Sequence, residues 1–119
     1  MTYKEYLQAA EKWDINPALV SRVEQAYTME LPKILQQIVS HADDPVFFDD
    51  GTHVFSYSEI LDAENTLDVA FREKGLIPIV DYYDGNYVVY NCNGHDWAIY
   101  STIDDLSFKR RPTLAKVLF

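Results

Sequence analysis

The chain has 119 residues, 48% of them hydrophobic, and a formal net charge of −9. This length fits one domain with one core, and no apolar run approaches the roughly 20 residues that span a bilayer. The excess of carboxylates disfavours nucleic acids and anionic membranes as partners, because both attract cationic proteins. It favours a basic protein as partner, or serves solubility alone.

The acidic charge is concentrated in one part of the chain. Residues 41–108 carry fourteen acidic and two basic side chains, whereas residues 109–119 carry four basic ones. The N-terminus lacks the basic and apolar regions of a signal peptide. The single cysteine, Cys92, cannot form an internal disulfide, so we expect a cytoplasmic protein in a reducing compartment.

Three helices are expected in the first 40 residues. Thr2-Tyr3-Lys4-Glu5 matches a capping box, and Asn16-Pro17 is typical of a helix N-terminus. Leu31-Pro32 begins the third helix. Apolar residues at helical spacing follow each of these starts.

Turn signals then surround two short predicted strands, at residues 46–48 and 52–55. The turns are expected at residues 41–45 and at Asp49-Asp50-Gly51. Ser56-Tyr57-Ser58-Glu59 offers a second capping box. The helix behind it is expected to end at Gly75 after a cationic last turn, with a break at Asn65-Thr66.

The strongest local signal is a three-strand meander over residues 76–102. Asp84-Gly85 and Asn93-Gly94 separate three runs rich in β-branched and aromatic residues, and such turns predict consecutive antiparallel strands. Residues 104–108 are expected to lead into a last short helix that begins at Pro112. Helices that flank a mainly antiparallel sheet make an α+β fold.

Catalytic and metal-binding motifs are sparse. Cys92 and His95 have the spacing of two metal ligands, but a structural zinc site needs four and no second pair is present. The neighbours of Cys92 are asparagines and acids, which do not activate a thiol. No phosphate-binding loop or nucleophile motif occurs, so we expect neither a metal nor another cofactor.

Three aspartate pairs leave an enzymatic alternative open. Asp43-Asp44, Asp49-Asp50 and Asp104-Asp105 could bind a cation or share a proton. Adjacent aspartates more commonly mark solvated turns, and catalysis also needs a pocket and an orienting partner. We therefore expect a binding protein rather than an enzyme.

Several short stretches, taken in order, resemble the SUKH superfamily, which joins a fungal cell-wall-synthesis regulator with many bacterial immunity proteins. The resemblance covers about residues 16–118 of a single domain that spans 1–119. Residues 1–15 form an additional N-terminal helix, and residues 41–55 depart from the family's pattern. The matching stretches are Val20-Ser21-Arg22-Val23-Glu24, Glu30-Leu31-Pro32, Gly75-Leu76-Ile77-Pro78-Ile79, Asp84-Gly85-Asn86-Tyr87-Val88-Val89-Tyr90, Trp97-Ala98-Ile99-Tyr100 and Leu114-Ala115-Lys116-Val117-Leu118.

The resemblance implies a protein that binds and neutralises a cognate toxin, often a nuclease or a deaminase. A nuclease is commonly basic, so an acidic protein suits it as a partner. The alternatives are a regulatory or scaffold domain with a non-toxin partner and, less favoured, a small carboxylate-based enzyme. Acidic loops and exposed tyrosines supply the expected interface. Its residues are Asp49, Asp50, Asp81, Tyr82, Tyr83, Asp84 and Asp104.

Overall fold

The computed structural model describes residues 1–41 and 46–119. Within them, the helices are α1 (Tyr3–Ala10), α2 (Pro17–Tyr27), α3 (Lys33–Ser40), α4 (Tyr57–Leu67), α5 (Phe71–Lys74) and α6 (Leu114–Leu118). The strands are β1 (Val46–Phe47), β2 (His53–Val54), β3 (Leu76–Asp81), β4 (Asn86–Asn91), β5 (Asp96–Ser101) and β6 (Leu106–Arg111). The turn expected at residues 41–45 lies largely outside the described residues.

The six strands form one sheet in their chain order, and every neighbouring pair is antiparallel. This confirms the α+β class and the meander predicted over residues 76–102. Since consecutive strands run in opposite directions, every second turn lies at the same end of the sheet. The turns β1–β2, β3–β4 and β5–β6 therefore share one end, and the turn β4–β5 lies at the other.

Three of the predicted helix starts are confirmed by their side-chain caps, whereas α3 begins at Lys33, after Pro32, without one. Thr2 Oγ1 accepts a hydrogen bond from the Glu5 N–H at 3.1 Å, and Ser56 Oγ accepts one from the Glu59 N–H at 3.2 Å. Each glutamate bonds back to its cap, so both capping boxes are complete. Asn16 caps α2 with its side-chain oxygen.

The break in the helical stretch after Ser56 lies later than the sequence predicts. Asn65 and Thr66 stay inside α4, where both donate side-chain hydrogen bonds to the Asp62 carboxylate at 3.0 and 2.9 Å. Asp68 instead ends the helix in a left-handed conformation with φ 55°. Aspartate tolerates this region better than most residues do.

The short helix α5 is held between its first residue and the glycine after it. Phe71 is fully buried, and its ring lies 6.1 Å from the Tyr100 ring at an angle of 69°. Gly75 ends the helix with φ 70°, as the sequence predicts. Glycine is favoured here by this conformation, whereas a Cβ would lie 2.6 Å from Asn93 Nδ2, at the end of a side chain that can shift.

The strand β6 was not predicted from the sequence, because residues 104–108 were expected to lead into a helix. The turn before it has no Asx-Gly pair, and Asp105 takes the left-handed conformation there, with φ 50°. Lys109 also has positive φ, at 52°, where the register against β5 shifts. This shift is a β-bulge, which bends the edge of the sheet.

The last helix begins two residues later than predicted. It starts at Leu114 rather than at Pro112, because the Thr113 side chain provides the cap. Lys109 Nζ donates to the Val117 carbonyl oxygen at 2.6 Å. The bulge in β6 thereby places a cation near the C-terminus of α6, where it is favourable.

The core lies between the helices and the central strands. The Tyr27 hydroxyl, itself buried, donates to the Ile60 carbonyl oxygen at 2.6 Å and joins α2 to α4. No helix within the described residues is long and apolar enough to cross a membrane. Fully buried side chains include Val23, Leu35, Val39, Ile60, Phe71, Ile77, Ile79, Val88 and Val89.

Candidate functional site

The end of the sheet shared by the turns β1–β2, β3–β4 and β5–β6 is here named the acidic end. All seven residues that the sequence predicts for a partner interface lie there, although the chain order separates them widely. The acidic end is defined by the aspartates Asp49, Asp50, Asp81, Asp84, Asp104 and Asp105.

Asp50 is the best-anchored carboxylate of the acidic end. Its Oδ1 accepts hydrogen bonds from the Thr52 N–H at 2.9 Å and the Thr52 hydroxyl at 2.6 Å. Its Oδ2 accepts one from the Tyr83 hydroxyl at 2.7 Å. These hydrogen bonds lower the pKa of Asp50, and the bond from the Thr52 hydroxyl has the largest effect. The hydrogen bond between Tyr83 and Asp50 raises the pKa of Tyr83 to about 12. It also joins the first turn of the acidic end, β1–β2, to the second, β3–β4.

The two adjacent tyrosines of the acidic end play different structural parts. Tyr82 is half-buried against the core, whereas 42% of Tyr83 is exposed. Their ring centroids are 4.6 Å apart, with an angle of 63° between the ring planes. The expected exposure is therefore confirmed for Tyr83, and an exposed tyrosine is a common contact residue in protein interfaces.

The third turn of the acidic end, β5–β6, is joined to the second turn, β3–β4, through Thr102. The N–H and hydroxyl of Thr102 donate to the Gly85 carbonyl oxygen at 3.2 and 2.8 Å. Asp105 accepts hydrogen bonds from Lys74 at 2.8 Å and from the Tyr100 hydroxyl at 2.5 Å. Lys74 is the main cause that lowers the pKa of Asp105. The three turns are thus fixed relative to one another.

Asp81 differs from the other predicted contact residues, because it faces a histidine. His53 lies between Asp81 and Glu59, with Nδ1 3.8 Å from Asp81 Oδ2 and Nε2 3.2 Å from Glu59 Oε2. Burial acts to raise the pKa of Glu59, but hydrogen bonds from Ser56 and His53 outweigh it and lower the pKa. No role was predicted for His53 from the sequence.

An exposed apolar residue at the acidic end was also not predicted from the sequence. Ile103 is 80% exposed at the tip of the third turn, beside the exposed carboxylate of Asp104. Among the described residues, the side chains of Asp84 and Asp104 form no salt bridge. The acidic end therefore combines free carboxylates with exposed apolar surface. The sequence signal for Ile103 is an apolar residue within the otherwise polar stretch Thr-Ile-Asp-Asp.

The aspartate pairs behave as turn residues in the structure. The Asp105 carboxylate accepts hydrogen bonds from Lys74 and Tyr100, whereas the Asp104 carboxylate forms no salt bridge with a described residue. Asp49 has an exposed side chain next to the anchored Asp50. The third pair, Asp43-Asp44, lies outside the described residues. In the rest of the chain, no group of three or more His, Cys, Asp or Glu side chains is placed to hold a metal.

The turn β4–β5, at the opposite end of the sheet, holds Cys92 and His95. Their side chains have separate partners: Cys92 Sγ lies 3.8 Å from Asn93 Oδ1, and His95 Nδ1 lies 3.3 Å from the Tyr90 hydroxyl. His95, and not Gly94, adopts the positive φ of this turn, at 52°. The predicted turn is present, with its left-handed residue two positions after Asn93.

An open groove of about 470 Å³ runs between α5 and β6. Its charged lining residues are already paired, Lys74 with Asp105 and Arg110 with Asp96, at 2.8 Å in both cases.

A scan against protein-family models, a search of the curated proteins and a search of the solved structures found no match to this chain. The SUKH resemblance therefore rests on the sequence motifs alone.

Proposed function

We propose that this chain is a SUKH-type protein-binding domain that binds and neutralises a cognate bacterial toxin through its acidic end. The observation that carries the proposal is the convergence of aspartates from three turns onto one end of the sheet. A nuclease toxin exposes cationic groups that bind a polyanion, and fixed carboxylates compete for those groups. Complementary charge also speeds the encounter of two proteins.

The geometry of the acidic end supports a built contact surface. Asp50 fixes the first turn to Tyr83, and Thr102 fixes the third turn to the second. The carboxylates of Asp84 and Asp104 remain available for a partner's cations. Tyr83 and Ile103 add exposed apolar contact area between them, and such residues supply much of the affinity of protein interfaces.

The sequence motifs give the proposal its second support. The stretches that resemble the SUKH superfamily fall on α2, the residues just before α3, the strands β3–β5 and α6. These elements form the frame that positions the acidic end. A toxin that acts inside the cell would meet this protein in the cytoplasm, where the thiol of Cys92 stays reduced.

Co-expression with the toxin domain encoded by the adjacent gene tests the proposal. We expect cells that make both proteins to grow, and cells that make the toxin alone to die. Death in the presence of the protein would refute neutralisation. A stable complex with a housekeeping protein, and no adjacent toxin gene, would instead favour the regulatory or scaffold alternative.

Charge reversal tests the role of the acidic end in that complex. We expect Asp84→Lys combined with Asp104→Lys to lower the association rate constant roughly tenfold or more at low salt, because electrostatic steering raises this rate by about 10 to 1,000 times. The matched control is Asp14→Lys combined with Glu30→Lys, which changes the same charge at exposed positions between the first three helices. Equal slowing by both pairs would show that net charge, and not the acidic end, governs association.

A further inference from the structure

The strand β6 forms one edge of the sheet. It is last in the strand order and pairs only with β5 in the described part of the chain. Five of its six residues are exposed, among them the large apolar side chains of Leu106 and Phe108, at 49% and 42%. An open edge presents backbone N–H and C=O groups that can pair with another strand.

The sequence around β6 is complementary to itself. Asp104 and Asp105 precede the strand, and Lys109, Arg110 and Arg111 end it. In an antiparallel pair of two identical strands centred on Ser107, the acidic start of each copy lies beside the basic end of the other. This arrangement places opposite charges together at both ends of the contact.

The apolar residues of β6 fit the same register. Leu106 and Phe108 lie opposite Ser101 and Ile99 of β5, which are two residues apart, so both side chains lie on one face of the sheet. Centring on Ser107 sets Leu106 of one copy opposite Phe108 of the second. Each dimer would contain two such apolar pairs, and cross-strand pairs stabilise sheets.

We propose that two copies of this chain associate through antiparallel β6–β6 pairing about a two-fold axis. The inference goes beyond the toxin-binding function and does not depend on it. The bulge at Lys109 adds one residue to β6, since Phe108 and Arg111 pair with Ile99 and Trp97 of β5, so Arg111 rather than Arg110 lies opposite Asp104 of the other copy. The main ionic contact is between Asp104 and Arg111, because neither forms a salt bridge within the described chain. Asp105 and Arg110 are already paired, with Lys74 and Asp96. The two-fold symmetry produces the Asp104–Arg111 contact twice.

Two features limit the strength of this association. The bulge at Lys109 interrupts the regular edge, and bulges and lysines are devices that blunt strand edges. The net charge of −9 on each copy adds long-range repulsion. The contact is therefore short, and a short contact gives a weak dimer that forms only at high protein concentration.

Sedimentation equilibrium of the full chain tests the proposal. We expect the average mass to rise from 13.8 kDa towards twice that value between about 10 μM and about 1 mM protein. Asp104→Arg and Arg111→Asp should each weaken dimerisation by about tenfold, because each replaces two attractive contacts with two like-charge contacts. The double variant, Asp104→Arg with Arg111→Asp, keeps the net charge and restores opposite charges, so its dimer should return to nearly the wild-type strength.

The controls separate this contact from other sources of mass. Asp14→Arg makes the same charge change as Asp104→Arg away from β6, and it should leave dimerisation unchanged. A mass of 13.8 kDa at every concentration overturns the proposal and leaves the edge to a strand of another protein. A dimer that is indifferent to both single variants, or that the double variant fails to restore, also overturns it. Arg111→Asp keeps every aspartate of the acidic end, so toxin neutralisation can be measured in that variant independently of dimerisation.

Discussion

Phe71 should contribute more to stability than its place in a four-residue helix suggests. Its side chain is fully buried, and it anchors α5 against Tyr100 of the central sheet. Replacing a buried phenylalanine with alanine removes apolar contacts and leaves a cavity, at a cost of about 3–5 kcal/mol. A 119-residue domain has a total stability of about 6–18 kcal/mol. The Phe71→Ala variant should therefore lose a large part of it.

Urea denaturation, followed by fluorescence and by circular dichroism, measures this loss. With a slope of about 2 kcal/mol per M, the midpoint for Phe71→Ala should fall by about 1.5–2.5 M. The matched control is Phe47→Ala, because Phe47 is 64% exposed at the other edge of the sheet and should lose less than about 1 kcal/mol. A loss for Phe71→Ala below about 1 kcal/mol, or equal to that of Phe47→Ala, would refute the assignment of Phe71 as an anchor.

Two further predictions concern hydroxyl and carboxylate contacts. Tyr27→Phe should cost about 1 kcal/mol of unfolding free energy in urea, since it removes a buried hydrogen bond to Ile60. Tyr82→Phe, whose hydroxyl makes no hydrogen bond in the described residues, should cost less than about 0.5 kcal/mol, and equal costs would contradict the prediction. The lowered pKa of Asp50 means that its bonds with Thr52 stabilise the fold above about pH 4, and that this stability is lost as the pH falls through the folded-state pKa. The melting temperature of Asp50→Asn should thus depend less on pH below about pH 4 than that of the wild type, and parallel curves would contradict this.

Most of the fold follows from local signals in the sequence. The caps at Thr2, Asn16 and Ser56 satisfy backbone N–H groups within three residues, so they do not depend on distant contacts. The same holds for the turn at Asp84-Gly85, where both residues adopt positive φ. Elements with these signals formed where the sequence predicts them.

The strand β6 could not be predicted in this way. The turn before β6 has Asp105 in the left-handed conformation, where a glycine would have been the usual signal. Hydrogen bonds from Lys74 and Tyr100 hold Asp105 in place. The bulge at Lys109 then breaks the alternation that marks a strand. The first feature depends on Lys74, which lies in α5, and the second on the pairing of β6 with β5, so no local pattern contains them.

The acidic end lies between these two cases, because the strand order alone determines it. In an antiparallel sheet whose order is consecutive, the turns β1–β2, β3–β4 and β5–β6 must meet at one end. Five of the aspartates, and both tyrosines, were identified from the sequence as single loop residues, without any statement that they lie together. Ile103 was missed because its turn belongs to the undetected hairpin β5–β6. Once that hairpin is present, the third turn joins the other two, and separate acidic loops become one surface with fixed geometry.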